Sequence, residues 1–353
     1  MKYLKHNGII SFWKFVFCIV IVIFHAGELF QYESGMLLRK GSIAVEFFFL
    51  VSGYLMAKTA VSKTSKLSLG KETFMFILKK IKSFFPYVFI AFMIDIILRT
   101  YLDTMNLESY VLSIFDLFLL IMPGFKTGKL IRHVWYISAM LICMSFLYPQ
   151  IKKFKDNYFY LIAPLSVILI AGWLNHNYSD LREPFLWIGF TYKGVVRAYF
   201  ELCLGSLLYP ISLALSNIKF TKFGRVLLTI IELSGYLITI LISHFIISSK
   251  VDFILVVLLS ISILLSFSNK VLESSFFNKK IFYFLEKISL PIYLVHIPIR
   301  NFLISPKFNL GYYQLLLILI ISSVIAGYLI ILIVEFFKDK KFFVPKIKKL
   351  LIE

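Results

Sequence analysis

Apolar runs long enough to cross a bilayer recur along almost the whole chain, and no other feature restricts its fold so tightly. Runs of about 17 to 25 residues begin near residue 10 and end near residue 335, each matching roughly 30 Å of hydrocarbon when helical. In lipid a backbone N–H or C=O has no partner unless the chain supplies one, so these runs are read as helices. Ten spans are predicted, at 10–30, 41–58, 83–102, 133–150, 158–175, 194–215, 226–247, 252–268, 281–304 and 313–335. A hydrophobic share of 59% and a mean hydropathy of +0.85 exclude a soluble globular domain. The net charge of +19 sits in short clusters between apolar runs, which points to a membrane surface rather than nucleic acid. Cys18, Cys143 and Cys203 all fall inside predicted spans and suit neither a disulfide framework nor a zinc site.

One stretch is ambiguous. Residues 108–122, ESYVLSIFDLFLLIM, are apolar but short, and carry Asp116 before Pro123 and Gly124. If this stretch crossed, the basic loops at 150–157 and 216–225 would face away from the basic N-terminus and the lysines between Lys58 and Lys82. If it is re-entrant or interfacial, every strongly basic segment falls on one side, as the positive-inside rule requires. The expected fold is therefore an all-α polytopic membrane helical bundle of about ten transmembrane helices plus one short re-entrant or interfacial helix. A single integral-membrane domain spans 1–353, with a basic tail at 336–353 and both termini cytoplasmic in the cell membrane.

Ionisable residues inside spans are costly in lipid, so each is a functional candidate. The first span runs outward, which places Lys14 near the inner interface and His25 in the outer third. Eleven residues put them on one helix face about 16 Å apart. The second span runs inward and sets Glu46 at the depth of His25, with Ser52 near the midplane. A carboxylate beside an imidazole fixes its tautomer and raises its basicity, so the pair His25 and Glu46 suits general-base chemistry. Glu28 lies one turn beyond His25 on a similar face. Further polar residues gather at the same outer depth: Asp95 with Arg99, His133 and Trp135, Arg197 with Glu201, and Tyr293, His296 and Arg300. Each has a structural alternative. A helix-to-helix hydrogen bond would account for His25 or His296, an ion pair for Arg197 and Glu201, interface anchoring for His133 and Trp135, and snorkelling for Lys14.

Five segments together resemble the acyltransferase-3 family of membrane O-acyltransferases: SFWKFVFCIVIVIFHAG, GSIAVEFFFLVSGYLMA, RHVWYISAMLICMSFLYP, VVRAYFELCLGSLLY and EKISLPIYLVHIPI. The resemblance covers nearly the whole chain. It implies transfer of an acyl group, commonly acetyl, from cytosolic acyl-CoA to an extracytoplasmic carbohydrate hydroxyl. The family's essential His corresponds to His25, its acidic residue to Glu46, and its basic residue, usually Arg, to Lys14. Lys offers a point charge where Arg offers a bidentate fork, so a fork-specific phosphate contact is lost here.

The acyl-CoA nucleotide is expected at the basic inner mouth, near Lys14 and the cluster Lys79, Lys80 and Lys82, with the pantetheine arm threading inward. His25 then acts as general base on the acceptor hydroxyl, or carries the acyl group as an acyl-imidazole. Ser52, His133, Trp135, Arg197, Glu201, Tyr293 and His296 are expected to support or bind the acceptor. No metal and no tightly bound cofactor is expected. The expected partners are acyl-CoA, a carbohydrate acceptor, membrane lipid and glycan-assembly proteins. The rival reading is a transporter or flippase for a glycan or lipid intermediate, because polar residues lining a cavity also serve a substrate pathway.

Overall fold

The computed structural model describes residues 7–30, 36–120, 130–178, 180–245, 251–272, 277 and 279–339. Among them the chain is an all-α bundle with no strand. Its helices are α1 (Gly8–Gly27), α2 (Ala44–Ser62), α3 (Leu69–Tyr101), α4 (Leu107–Asp116), α5 (Trp135–Lys153), α6 (Ala163–Asn177), α7 (Lys193–Asn217), α8 (Lys222–Phe245), α9 (Val251–Phe267), α10 (Lys280–Leu303) and α11 (Tyr312–Asp339). A π-helical turn, Tyr158–Ile162, leads into α6. Among the described residues nine helical segments are long and apolar enough to cross a membrane, and α9, at 17 residues, is a shorter apolar helix. These ten correspond one for one to the ten predicted spans.

The bundle is inside-out relative to a soluble protein. Large aliphatic side chains cover its outside, such as Ile168 at 66% and Leu317 at 62% exposure, while Glu46, Arg197 and Glu201 are at 2% or less. That is the arrangement lipid demands, since ionised groups must pair inside.

Interhelical bonds define two ends. At one, Asn7 Nδ2 donates to Ser266 O, Lys14 pairs with Glu286, Lys152 with Glu72, and Lys287 with Glu335. Arg225 caps the exit of α9 by donating to Lys270 O and Val271 O. At the opposite end Glu28 pairs with Arg300, Lys40 with Asp252, and Lys307 Nζ donates to Tyr101 O. The first is the basic end, the second the polar end.

The ambiguous segment becomes α4 followed by a 3-10 turn, Leu117–Leu120. Those 14 residues span about 21 Å, short of a bilayer. They do not cross, because α3 ends and α5 begins at the same end: Asp95 Oδ2, near the end of α3, accepts from Ile131 N at 3.3 Å. Asp116, fully buried, accepts from Leu130 N at 3.0 Å. Pro123 and Gly124 lie outside the described residues.

The boundary of α3 differs from expectation. The predicted span opens at 83, whereas the helix opens at Leu69 and runs 33 residues. Its length of about 50 Å exceeds the hydrocarbon thickness, so the stretch carrying Lys71, Lys79, Lys80 and Lys82 continues past the apolar zone at the basic end. Hydropathy marks only the immersed part of a helix. Of the expected tail at 336–353, residues 340–353 lie outside the described residues.

Two packing relations position the site. α2 and α7 touch backbone to backbone: a Cβ added at Gly53 would be driven into Leu202 O, and one at Gly205 into Leu50 O. Small residues at such a contact are what close approach in lipid requires. α1 and α10 run parallel and in step, through Lys14 with Glu286, Cys18 with Ser289, His25 with His296, and Glu28 with Arg300.

Candidate functional site

Each end of the α1–α10 pair holds a group of polar side chains. At the polar end His25 closes the last turn of α1, and Glu28 follows in a 3-10 turn, Glu28–Phe30. The three-residue spacing brings His25 Nδ1 to 2.7 Å from Glu28 Oε2. Facing a carboxylate, Nδ1 is the donor, and Nε2 has no hydrogen-bond partner among the described residues. Arg300 Nη1 donates to the same Glu28 oxygen at 2.7 Å and to His25 O at 3.2 Å. Burial pushes the Glu28 carboxyl up, but the bonds and charges of His25 and Arg300 outweigh it and hold the carboxyl below its ordinary value.

The expectation that Glu46 orients His25 is corrected here. Glu46 Oε2 is bonded by Arg197 Nη2, and Arg197 Nε donates to Glu201 at 3.2 Å. An expected common depth matched Glu46 to His25, but Phe47 stacks on Phe17, which sets Glu46 roughly two turns below His25 along α1. The close α2–α7 contact instead turns the Glu46 face of α2 toward α7, so Arg197 takes the carboxylate and the nearer Glu28 takes the imidazole. Arg197 Nη1 also donates to Leu181 O, while Asp252, paired with Lys40, accepts from Leu181 N at 3.0 Å. In the loop before α7, burial pushes Asp180 up, but Arg182 and Lys193 outweigh it and hold the carboxyl below its ordinary range. Arg197 therefore braces α2, α7 and this loop, and its guanidinium lies 5.7 Å from the Trp135 ring.

Two more imidazoles line up beside the His25 pair. The His296 ring lies 5.2 Å from His25, and His133 lies 5.5 Å from His296. His296 Nδ1 donates to Tyr293 O, His133 Nε2 donates to Leu294 O, and Tyr293 Oη donates to His133 O. Carbonyl acceptors thus fix both tautomers. His296 Nε2 and His133 Nδ1, both buried, have no hydrogen-bond partner among the described residues. Ser52 Oγ meets Tyr136 Oη at 3.5 Å, and Tyr136 packs on Tyr293. Among the described residues no three His, Cys, Asp or Glu side chains are placed to hold a metal ion. A cavity of about 640 Å³, lined by Phe30, Leu303, Ser305, Phe308 and Leu310, lies just past Glu28 and Arg300 in the chain.

At the basic end a cavity of about 380 Å³ is lined by Ser11, Lys14, Tyr54, Lys58, Ser266 and Glu286, among others. Lys14 lies in it, paired with Glu286. Lys79, Lys80 and Lys82 are not in its lining. Lys79 and Lys82 are exposed on α3, while Lys80 is half-buried, within electrostatic reach of Lys14, with its Nζ 5.2 Å from the Phe76 ring. The cavity and His25 thus share one helix, eleven residues or about 16 Å apart.

Sequence reasoning noted Glu28 and Arg300 without joining them to His25. The i to i+3 spacing of His25 and Glu28 was the available signal. Glu286 and the pair Lys40 with Asp252 were missed, and nothing local points to partners more than 200 residues away.

Comparison with curated proteins returned no match, and comparison with solved structures returned none. The acyltransferase-3 family, described as an acyltransferase domain, matches over residues 7–351, so the chain belongs to that family and is a multi-pass membrane acyltransferase.

Proposed function

We propose that the protein transfers an acyl group, commonly acetyl, from cytosolic acyl-CoA to a hydroxyl of an extracytoplasmic or lipid-linked surface polysaccharide. In this reading the basic end faces the cytosol at the cell membrane, with both termini on that side, because basic residues favour the cytoplasmic face. The observation that carries the reading is His25: its Nδ1 is held by a carboxylate, its Nε2 has no partner among the described residues, and a cation-lined cavity lies about 16 Å below on the same helix.

The nucleotide would rest at the basic end near Lys14 and Lys58, with Lys79, Lys80 and Lys82 adding positive potential outside the cavity. The pantetheine arm would carry the thioester toward His25. His25 Nε2 then takes the proton of the acceptor hydroxyl as its oxygen attacks the thioester carbon, the C–S bond breaks, and the departing CoA thiolate takes that proton to leave as the free thiol. Alternatively, Nε2 itself attacks the thioester, displacing CoA, and the acceptor oxygen then cleaves the acyl-imidazole. Glu28 holds the ring and stabilises its charged form, while Arg300 fixes Glu28. Glu46, Arg197 and Glu201 position α2 against α7. Trp135, Tyr293, His133, His296 and Ser52 form the wall on the acceptor side, and the apolar lining of the polar-end cavity suits a lipid-linked acceptor.

The test is transfer from labelled acetyl-CoA by protein reconstituted in lipid, with NMR of surface glycans from cells with and without the chain. His25→Ala should abolish both signals. Retained acetylation with blocked polymer export would instead make the chain a transporter.

A further inference from the structure

The basic-end cavity contains a protein carboxylate held as an anion. Lys14 Nζ bonds Glu286 Oε1, and Ser11 Oγ donates to Glu286 Oε2 at 2.6 Å. Ser11 and Lys14 lie three residues apart on α1, so a hydroxyl and an ammonium project from one helix face. Both oxygens of Glu286 are taken by this cradle. A second ammonium, Lys58, lines the same cavity and has no ion-pair partner among the described residues. The Glu286 side chain is 33% exposed and that of Lys14 is 18% exposed, so the pair stands at the cavity wall rather than sealed in the core.

Resting on the donor assignment above, we propose that Glu286 is a built-in competitor that occupies the phosphate position of the acyl donor, in a cradle of Ser11 and Lys14 that selects for phosphate. The Ser11–Lys14 cradle binds one oxyanion at a time, and Glu286 fills it until a donor phosphate takes its place. The carboxylate displays the chemistry the cradle accepts: two oxygens of an anion, one on a hydroxyl and one on an ammonium. Donor binding then exchanges one charge-assisted contact for another. Glu286 swings into the cavity, and Lys58 offers a second positive contact to the incoming phosphates. The exchange sets a threshold, because a thioester without phosphates cannot displace the carboxylate and gains nothing from the cradle. The cradle therefore selects by phosphate charge and not by acyl group, and Glu286 raises the donor concentration needed to fill it.

The test compares acetyl-CoA with S-acetyl pantetheine, which has the thioester arm but no nucleotide, using full-length protein in nanodiscs. Glu286→Gln removes the competing charge while keeping the side chain's size. The KM for acetyl-CoA should fall on the order of five-fold, the size of one partly screened charge contact, and the gain should shrink at high salt. The KM for S-acetyl pantetheine should move less than about two-fold. Lys58→Gln should raise the KM for acetyl-CoA alone. Equal shifts for both thioesters, or an unchanged KM for acetyl-CoA, would overturn the role of Glu286. If Glu286→Gln does not fold, Glu286→Ala, which also removes the carboxylate, should give the same thioester-selective fall, and its absence counts against the proposal. Failure of the wild-type protein to accept acetyl from either thioester would overturn the donor assignment itself, which is a separable result.

Discussion

Replacing Glu28 by Gln separates two accounts of how His25 is held. The structure gives His25 Nδ1 to Glu28 Oε2, and gives Glu46 to Arg197. A hydrogen bond with a charged partner contributes about 1.5 to 3 kcal/mol. Glu28 is 38% exposed and divides one oxygen between His25 and Arg300, so the lower part of that range applies. A loss of about 1.5 to 2 kcal/mol in the transition state slows transfer roughly 10- to 30-fold. Glu46→Gln should behave differently. It leaves Arg197, at 2% exposure, with only Glu201, and breaking a buried pair costs about 3 kcal/mol in stability. The assay is single-turnover acetyl transfer in nanodiscs, run beside thermal unfolding followed by size-exclusion fluorescence. Glu28→Gln should lose rate with a near-normal melting profile, and Glu46→Gln should lose melting temperature while the surviving folded fraction transfers at a near-normal rate. Folded Glu46→Gln protein that is slower than Glu28→Gln would refute the assignment of the His25 partner.

The backbone contact between α2 and α7 makes Gly53→Ala and Gly205→Ala destabilising by about 1 to 3 kcal/mol each through overpacking, readable as lost monodisperse protein on size exclusion. Wild-type yield from either variant would show that the helices stand further apart. The pH dependence follows from the depressed Glu28 carboxyl. A group held below its unfolded value, about 4.3 for Glu, contributes stability above that value and loses it as pH falls through the folded value. The Glu28 contribution to the melting difference between wild type and Glu28→Gln should therefore be lost as pH falls below about 4. A difference that grows in stronger acid would contradict the pairing.

The spans were legible because lipid imposes a length and a composition that few sequences satisfy by accident. Charge bias then settled the one doubtful segment: α4 stays at the polar end, as the lysines demanded. The depth of a polar residue was legible only within its own helix, and the register between helices was not. Phe47 stacks on Phe17 and Gly41 sits against Val20 O, which sets Glu46 roughly two turns below His25 along α1. The α2–α7 contact then decides which neighbour Glu46 meets, and it depends on two glycines seated against carbonyls of the facing helix. Arg197 with Glu201 could be read because both lie on one helix four residues apart. Glu286 with Lys14, and Lys40 with Asp252, could not, because residue spacing says nothing about which two helices of a bundle adjoin.

Ser11, Lys14 and His25 are all carried by α1, one uninterrupted helix from Gly8 to Gly27. The interval from the oxyanion cradle to the imidazole therefore behaves as a fixed gauge of about 16 Å whether or not Glu286 is paired. In the proposed transfer a thioester arm must match that gauge for its carbonyl to arrive at His25. Tolerance for bulkier acyl groups then has to come from sideways room around the ring, and sideways room is where substitutions that widen the enzyme's choice of acyl group should be sought.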